Sequence, residues 1–230
     1  AQLRLANPIN ADWDQMRPTP LPNLLLAAQR NADRGFADTA LFEVGPAFQT
    51  QKVNGGPTVA AGIRHVHAGA KHWAVPNNDR AVDVYDAKGD AFAVLAATAG
   101  IDETRVTITR DAPSWYHPGR SGAVKQGNVT LAYFGELHPA VLEQLDVRGP
   151  AVGFEVFLNN IPAQKKKGTA RGVLVLSSFM PVTRDFAFVV AADVEAESVC
   201  RVIRLVDRVL ITEARVFDVY AGKGIEPGKK

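Results

Sequence analysis

Short strand-like segments joined by tight turns outnumber helices in the first two thirds of this chain. Valine, isoleucine, threonine and aromatic residues gather in these segments, and Gln126-Gly127-Asn128 between two of them has the composition of a hairpin turn. The predicted strands are residues 40–44, 47–48, 58–63, 105–109, 122–125, 129–134 and 151–158. We therefore predict an α+β fold, with an antiparallel sheet and helices against it.

Three segments of the same region have helical spacing instead. The first begins at Pro22 and ends near Gly35, the second covers roughly 83–98, and the third covers 138–145. Proline is tolerated in the first turn of a helix, and glycine is favoured just beyond the last turn. These residues therefore place the helix ends as well as the helices.

A lysine-rich stretch without apolar periodicity predicts a linker at 165–176, between domains at 1–164 and 177–230. Beyond the linker we predict a strand at 186–190, a helix at 195–209 and a strand at 211–220. This β-α-β order begins a ferredoxin-like unit, which normally needs β-α-β-β-α-β. We expect the second domain to be truncated, with its last strands and helix missing.

Composition narrows the class of protein. The chain has 47% hydrophobic and 22% charged residues and a formal net charge of +2, which is typical of a soluble globular protein and gives no electrostatic case for wrapping a polyanion. Cys200 is the single cysteine, so we expect no internal disulfide and a buried apolar role for it. The sequence contains no run of about 18 apolar residues, so we predict no membrane span. The missing first Met and the abrupt end at Lys230 suggest an excised fragment.

Nine short sequence motifs follow one another along nearly the whole chain. They are Asn7-Pro8-Ile9, Met16-Arg17-Pro18, Leu41 to Gly45, Val82 to Gly89, Tyr116 to Ser121, Phe134 to Pro139, Phe154-Glu155, Pro181 to Asp185 and Phe217 to Gly224. Together they resemble the C-terminal half of the β subunits of bacterial phenylalanyl-tRNA synthetases. The resemblance implies an inactive class II synthetase-like module before the linker and the start of an anticodon-binding domain after it.

The same resemblance implies a cytoplasmic enzyme with no membrane contact. An α subunit would carry the active site and pair with this module in an (αβ)2 assembly that joins phenylalanine to tRNA(Phe). The whole enzyme would use ATP and Mg²⁺, and this chain would bind no cofactor.

A working class II synthetase needs two arginines at its phosphates, because a planar guanidinium both neutralises and orients oxyanions. The segment that resembles the second class motif, Leu41 to Val44, contains no arginine, and the segment that resembles the third, Gly153 to Leu158, contains none either. We therefore predict no catalytic residue in this chain. The first alternative is a divergent class II-like ligase in which Arg30, Arg34 or Arg64 points inward.

A second alternative is a regulatory module, since ferredoxin-like domains also bind small amino acids. The resemblance to the class II subunit interface instead predicts that the segment from Met16 to Ala32 meets the α subunit. The residues we expect there are Met16, Arg17, Pro18, Leu21, Leu24 and Leu25.

Arg201, Arg204 and Arg208 are spaced three and four apart, so we expect them on one helix face, where they are candidates for binding tRNA phosphates. The segment from 177 to 230 has eight basic and eight acidic side chains, so any RNA contact would depend on placement. Lys165-Lys166-Lys167 is expected to be solvated.

Histidines and aspartates raise the question of a metal site. His65, His67 and His72 could gather imidazoles, but no nearby cysteine or carboxylate completes a zinc ligand set, so we expect a solvated strand face. For His117 and His138 we expect turn-stabilising hydrogen bonds. Three aspartates, Asp83, Asp86 and Asp90, are spaced three and four residues apart. Carboxylates at this spacing could bind Mg²⁺ or stabilise the start of a helix, and we favour the helix start.

Overall fold

The computed structural model describes residues 3–10, 14–50, 56–69, 80–101, 103–163 and 176–230. The chain divides into two compact units, residues 1–166 and 167–230. In the first unit the elements are α1 (Leu21–Ala32), β1 (Thr39–Pro46), β2 (Thr58–His65), α2 (Val84–Ala99), β3 (Thr107–Thr109), β4 (Tyr116–Gln126), β5 (Val129–Leu137), α3 (Pro139–Gln144) and β6 (Ala151–Phe157). Two short 3-10 helices cover Glu103–Arg105 and Leu158–Asn160.

One six-stranded sheet organises the first unit, with strand order β1-β2-β6-β5-β4-β3. Every neighbouring pair is antiparallel, and β6 fits between β2 and β5 although it comes last along the chain. The predicted antiparallel sheet is confirmed. The hairpin at Gln126-Gly127-Asn128 is confirmed as well, since β4 ends at Gln126 and β5 begins at Val129.

The sheet separates two apolar clusters, because successive residues of a strand point to opposite faces. On β6, Val152, Phe154 and Val156 pack in one cluster with the apolar side of α2. Ala151, from the other face of β6, packs in the second cluster with Leu21 and other residues of α1. Each helix thus covers its own side of the sheet.

The ends of α2 follow from its sequence. Asp83 is the N-cap and accepts hydrogen bonds from the backbone N–H groups of Tyr85 and Asp86, while the Asp86 carboxylate accepts one from the Asp83 N–H. Gly100 ends the helix in the left-handed conformation, with φ 59°, which glycine adopts at little cost. The predicted helix at 83–98 is confirmed in position.

Some element bounds differ from the predictions. The strand predicted at 105–109 is limited to β3, because Glu103–Arg105 forms a 3-10 turn. Residues 47–48 form no separate strand: β1 ends at Pro46, and the Phe48 N–H donates to the Arg17 carbonyl instead. Strand β4 starts six residues earlier than predicted, since a register shift between Tyr116 and Ser121 accommodates Pro118 and Gly119.

In the second unit, the described residues form one helix, α4 (Ala196–Val206). The strands predicted at 186–190 and 211–220 are wrong as paired strands, and an isolated bridge joins Ala191 to Lys229. A strand needs a neighbour for its backbone groups, and neither segment has a partner strand among residues 176–230. The linker prediction falls largely on residues 164–175, outside the described residues.

None of the helices in the described ranges combines the length and the apolar character that crossing a lipid bilayer would require.

Candidate functional site

The two segments expected to resemble the second and third class motifs belong to β1 and β6, which are separated only by β2. On β1, Leu41 packs in the apolar cluster below α1, and Glu43 pairs with the guanidinium of Arg17 at 2.5 Å. That contact lowers the pKa of Glu43 below its ordinary value, through the hydrogen bond and charge of Arg17 against a smaller cost of burial. Arg17, a predicted interface residue, is therefore engaged within the chain.

On β6, the side chain of Glu155 is buried on the face of the sheet that α1 covers. Its Oε1 accepts a hydrogen bond from the Thr19 hydroxyl. Its Oε2 accepts bonds from the indole Nε1 of Trp115 and from the Tyr116 hydroxyl, each at 3.1 Å. All three donors are neutral, so the carboxyl group is hydrogen-bonded without being neutralised by a cation.

Burial sets the protonation behaviour of this cluster. Desolvation raises the pKa of Glu155 above 4.5, and its hydrogen bonds from Thr19, Trp115 and Tyr116 offset only part of that rise. Desolvation and the adjacent Glu155 also hold the pKa of the Tyr116 hydroxyl well above its usual 10.0. A buried acid among neutral donors repels phosphate rather than gripping it, because it offers negative charge or one proton and no fork of N–H donors.

The candidate arginines do not join this cluster. Arg30 and Arg34 are exposed. Arg64 forms a two-point ion pair with Asp90 of α2, with Nε to Oδ2 at 2.7 Å and a second nitrogen to Oδ1 at 2.8 Å. Since Asp90 belongs to α2, Arg64 points to the face of the sheet opposite Glu155.

The Glu155 cluster is absent from the sequence-based predictions. Its members are far apart in sequence, and Thr19 and Glu155 are separated by 136 positions. One signal was available: Glu155 is the single charged residue in Ala151–Phe157. A lone carboxylate in an apolar strand is buried with hydrogen-bond donors around it, since an unpaired one is too costly.

The histidines take different roles. The expected solvated strand face is wrong for His65, which is fully buried with Nε2 2.7 Å from the carbonyl oxygen of Arg148. His67 binds the Asp38 carboxylate, and His72 lies outside the described residues. Val66 between the first two has φ 69°, which interrupts the alternation of the strand, so His65 and His67 do not share a strand face.

The other two histidines stabilise turns, as predicted. The Nδ1 atom of His117 accepts from the Gly119 N–H, and that of His138 accepts from the Ala140 N–H at the start of α3, both at 3.1 Å. Within the described ranges, no three histidine, cysteine or acidic side chains come together as metal ligands would.

The aspartates of α2 serve the helix start and the sheet. Asp83 and Asp86 form a capping box, and both carboxylates form ion pairs with the guanidinium of Arg80. Burial tends to raise the pKa of Asp86, but the bonds from Arg80 and the Asp83 N–H outweigh it and leave that pKa lowered. Asp90 pairs with Arg64. The helix-start interpretation of Asp83 and Asp86 is confirmed.

The predicted interface segment is divided between core and surface. Leu21, Leu24 and Leu25 are buried, with 1%, 7% and 1% of their surface exposed, and they pack on the chain's own sheet. Met16 and Arg17 are half-buried and Pro18 is exposed. The outer side of α1 instead presents Leu26, which is 40% exposed, and Arg30.

The three arginines predicted to bind tRNA do not lie on one helix face. Helix α4 ends at Val206, so Arg208 lies beyond it. The reason is Asp207, whose carboxylate accepts from the N–H groups of Val209 and Leu210 and so replaces the next helical turn. Arg201 is exposed on α4, while Arg204 pairs with Glu197 at 2.5 Å.

Comparison with known proteins gives two family matches. Residues 1–158 match the family described as the phenylalanyl tRNA synthetase beta chain CLM domain. Residues 177–230 match the ferredoxin-fold anticodon binding domain, in agreement with the predicted ferredoxin-like start. A solved pyrrolysyl-tRNA synthetase from Desulfitobacterium hafniense is 16% identical, with a TM-score of 0.49 over 70% of this chain and 52% of that chain.

Curated relatives match along the entire chain. The phenylalanine–tRNA ligase beta subunit of Paramagnetospirillum magneticum is 49% identical over 230 residues, which is 100% of this chain and 28% of that protein. The one from Rhodospirillum rubrum is 48% identical over 229 residues, or 99% of this chain and 28% of that protein. The chain thus spans less than a third of the length of these relatives. By these sequence matches, the chain belongs to the family of phenylalanyl tRNA synthetase beta chains.

Proposed function

We propose that this chain is a non-catalytic part of a phenylalanine–tRNA ligase, a cytoplasmic enzyme that charges tRNA(Phe) with phenylalanine. In this proposal residues 1–164 form an inactive synthetase-like module, 165–176 a linker, and 177–230 the start of an anticodon-binding domain. ATP and Mg²⁺ bind to an α subunit in an (αβ)2 assembly, and this chain supports α and helps to position the tRNA.

The non-catalytic role is supported by the side chains that lie in the segments resembling the phosphate-binding motifs. Leu41 is packed into an apolar cluster, and Glu155 is buried among Thr19, Trp115 and Tyr116. Electrostatic stabilisation of phosphates is usually the largest contribution to this kind of chemistry, and these side chains supply none of it. The divergent-ligase alternative predicts ATP turnover by the chain, and the regulatory alternative predicts a phenylalanine-dependent shift in thermal stability.

The α-binding surface in this proposal is the segment from Met16 to Ala32. The buried leucines, Leu21, Leu24 and Leu25, hold α1 on the sheet from inside. The contact itself is assigned to the outer side of the segment, where Leu26 is an exposed apolar residue. Of the other predicted contact residues, Met16 is half-buried and Pro18 is exposed. Binding energy concentrates in a few anchors, so one change there has a measurable effect.

Capture of purified α subunit tests the assignment. Leu26→Glu is expected to leave the chain folded and to weaken α capture by at least tenfold, a loss of about 1.4 kcal/mol or more. Ala93→Glu, on the exposed side of α2, is the matched control and is expected to bind as the unmodified chain does. Leu25→Glu is expected to lose folding, because the new charge is buried. Wild-type capture by Leu26→Glu would place the interface elsewhere.

The RNA contact is assigned to Arg201, Arg204 and Arg208 of the second unit. Arg201 and Arg208 are exposed, whereas Arg204 is engaged by Glu197, so we expect weak binding by this chain alone. Filter binding at several salt concentrations measures it. Submicromolar affinity with a steep salt dependence would contradict the expectation, since such a slope reports many phosphate contacts.

A further inference from the structure

His65 and Thr39 form a cross-strand pair at one end of the β1–β2 ladder. Directly opposed residues of an antiparallel pair point to the same face, with Cβ atoms about 4.5–5.5 Å apart. The Nδ1 atom of His65 and the Oγ1 atom of Thr39 are both buried, and neither has a hydrogen-bond partner among the residues that the structure describes. Two buried polar atoms without partners therefore belong to directly opposed side chains on one face of the sheet.

The tautomer of His65 follows from its other nitrogen. Nε2 is 2.7 Å from the carbonyl oxygen of Arg148, which can only accept, so Nε2 carries the hydrogen. In the neutral ring Nδ1 is then an acceptor and needs a donor. The Thr39 hydroxyl can donate, but it does not reach Nδ1 directly in this structure.

We propose that Thr39 and His65 bind one internal water molecule between them. The water donates one hydrogen bond to His65 Nδ1 and accepts one from the Thr39 hydroxyl. Internal waters occupy this kind of place, where they join buried polar groups that otherwise lack partners. The site satisfies both atoms and leaves the rest of the strand pairing unchanged.

The water completes a chain of hydrogen bonds that reaches α1. From His65 the chain passes to Arg148, whose backbone N–H donates to the Gln29 side-chain oxygen at 2.8 Å and whose guanidinium pairs with Asp33 at 2.8 Å. Gln29 lies in α1 and Asp33 is its C-cap, so the start of β1 is connected through His65 to the end of α1.

The backbone at this point is held in an uncommon conformation. Val66 has φ 69°, which is rare for a β-branched residue, and both of its backbone groups are bonded, the N–H to the Pro150 carbonyl and the carbonyl to the Val82 N–H. Through the hydrogen bonds from His65 to Arg148 and α1, Thr39 and His65 act as positioning residues for this helix. Their functional role rests on the proposed binding of α1 to the α subunit.

Nitrogen NMR of the chain labelled with ¹⁵N-histidine tests the tautomer without any variant. We expect His65 to carry its hydrogen on Nε2 and to show an acceptor Nδ1. A protonated Nδ1 would overturn the proposal. A high-resolution crystal structure is expected to show a water bonded to both atoms, and an empty site or a direct Thr39–His65 bond would overturn it as well.

A double-mutant cycle measures the connection. In the natural chain, Thr39→Val is expected to raise the unfolding equilibrium constant by about tenfold, because it leaves buried polar partners unpaired. In the His65→Leu background, the same change is expected to raise it by less than about twofold. Thr58→Val, at the exposed opposite end of the same strand pair, is the control and is expected to change it by less than about twofold. Equal effects of Thr39→Val in both backgrounds would overturn the proposal.

The α-capture assay separates this inference from the proposed function. Weaker capture by folded Thr39→Val supports the positioning role, and unchanged capture overturns that role. If the natural chain captures no α subunit while the tautomer and the cycle agree with expectation, the proposed function fails and the water site is supported.

Discussion

Gly62 of β2 lies directly opposite Phe154 of β6, and the aromatic ring fills the space that a side chain at residue 62 would need. A Cβ atom there would be 2.5 Å from Cε1 of Phe154 and 3.3 Å from the Leu41 carbonyl oxygen. The ring of Phe154 packs in the cluster below α2. The glycine therefore allows the central strands to pair while a large side chain lies flat across them.

Gly62→Ala is expected to destabilise the fold by about 1–3 kcal/mol, because the ring and the β1 backbone must both move. Gly89→Ala is the matched control: it lies in the middle of α2, where a Cβ would meet nothing within 4 Å. This second variant is expected to stabilise the fold by about 0.5–1 kcal/mol, through helix propensity. Urea unfolding measures both, and a Gly62→Ala variant as stable as the natural chain would refute the packing argument.

Two replacements of Glu155 separate the contribution of its hydrogen bonds to stability from that of its charge. In Glu155→Gln, the new amide can accept from Trp115 and Tyr116 through its carbonyl oxygen and donate to the Thr19 hydroxyl, so this variant is expected to fold normally. Glu155→Leu leaves the buried Tyr116 hydroxyl unpaired and is expected to cost about 2–4 kcal/mol. Glu143→Leu, at an exposed position, is the control. Equal stability of the glutamine and leucine variants would show that the hydrogen bonds contribute little.

The raised pKa of Glu155 predicts a pH dependence of stability. Between the ordinary value of 4.5 and the raised folded value, the folded chain holds a proton that the unfolded chain has released. The contribution of Glu155 to stability is therefore fully present below 4.5 and decreases as the pH rises through the folded pKa. The free energy of unfolding of the natural chain minus that of Glu155→Gln should decrease over this range. A difference that stays flat or increases would contradict the burial argument.

The capping box at the start of α2 gives a prediction for Asp83. Asp83→Ala removes the acceptor for the Tyr85 and Asp86 N–H groups and is expected to cost about 0.5–2 kcal/mol. Asp83→Ser keeps a capping oxygen and should retain most of the stability. Thermal and urea unfolding of the two variants provide the measurement, and an alanine variant equal to the serine variant would mean that the cap is unimportant.

Phenylalanine-dependent pyrophosphate exchange tests the absence of synthetase chemistry. We expect no exchange above a mock-purified control and no tight ATP binding by this chain, since neither Leu41 to Val44 nor Gly153 to Leu158 contains an arginine. Exchange that survives purification, and that is lost when Arg64 is replaced, would favour the divergent ligase.

Features set by neighbours in sequence were predictable. The capping aspartate and terminal glycine of α2, the Gly127 hairpin and the turn-stabilising His117 and His138 all depend on contacts within a few residues. The same holds for the prediction that the strands form an antiparallel sheet, because tight turns bring consecutive strands together. The family also followed from sequence, because its short motifs keep their order along the chain.

Tertiary structure decided everything that joins distant segments. The sequence shows that α1 has leucines at helical spacing, but only packing on the sheet buries Leu25 and exposes Leu26. Glu155 and His65 acquire their roles from partners that are distant in sequence, since β6 inserts between β2 and β5. The strands predicted at 186–190 and 211–220 are wrong because neither segment has a partner strand among residues 176–230. A helix satisfies its backbone within itself, whereas a strand or a buried polar group takes its stability from whatever lies beside it in space.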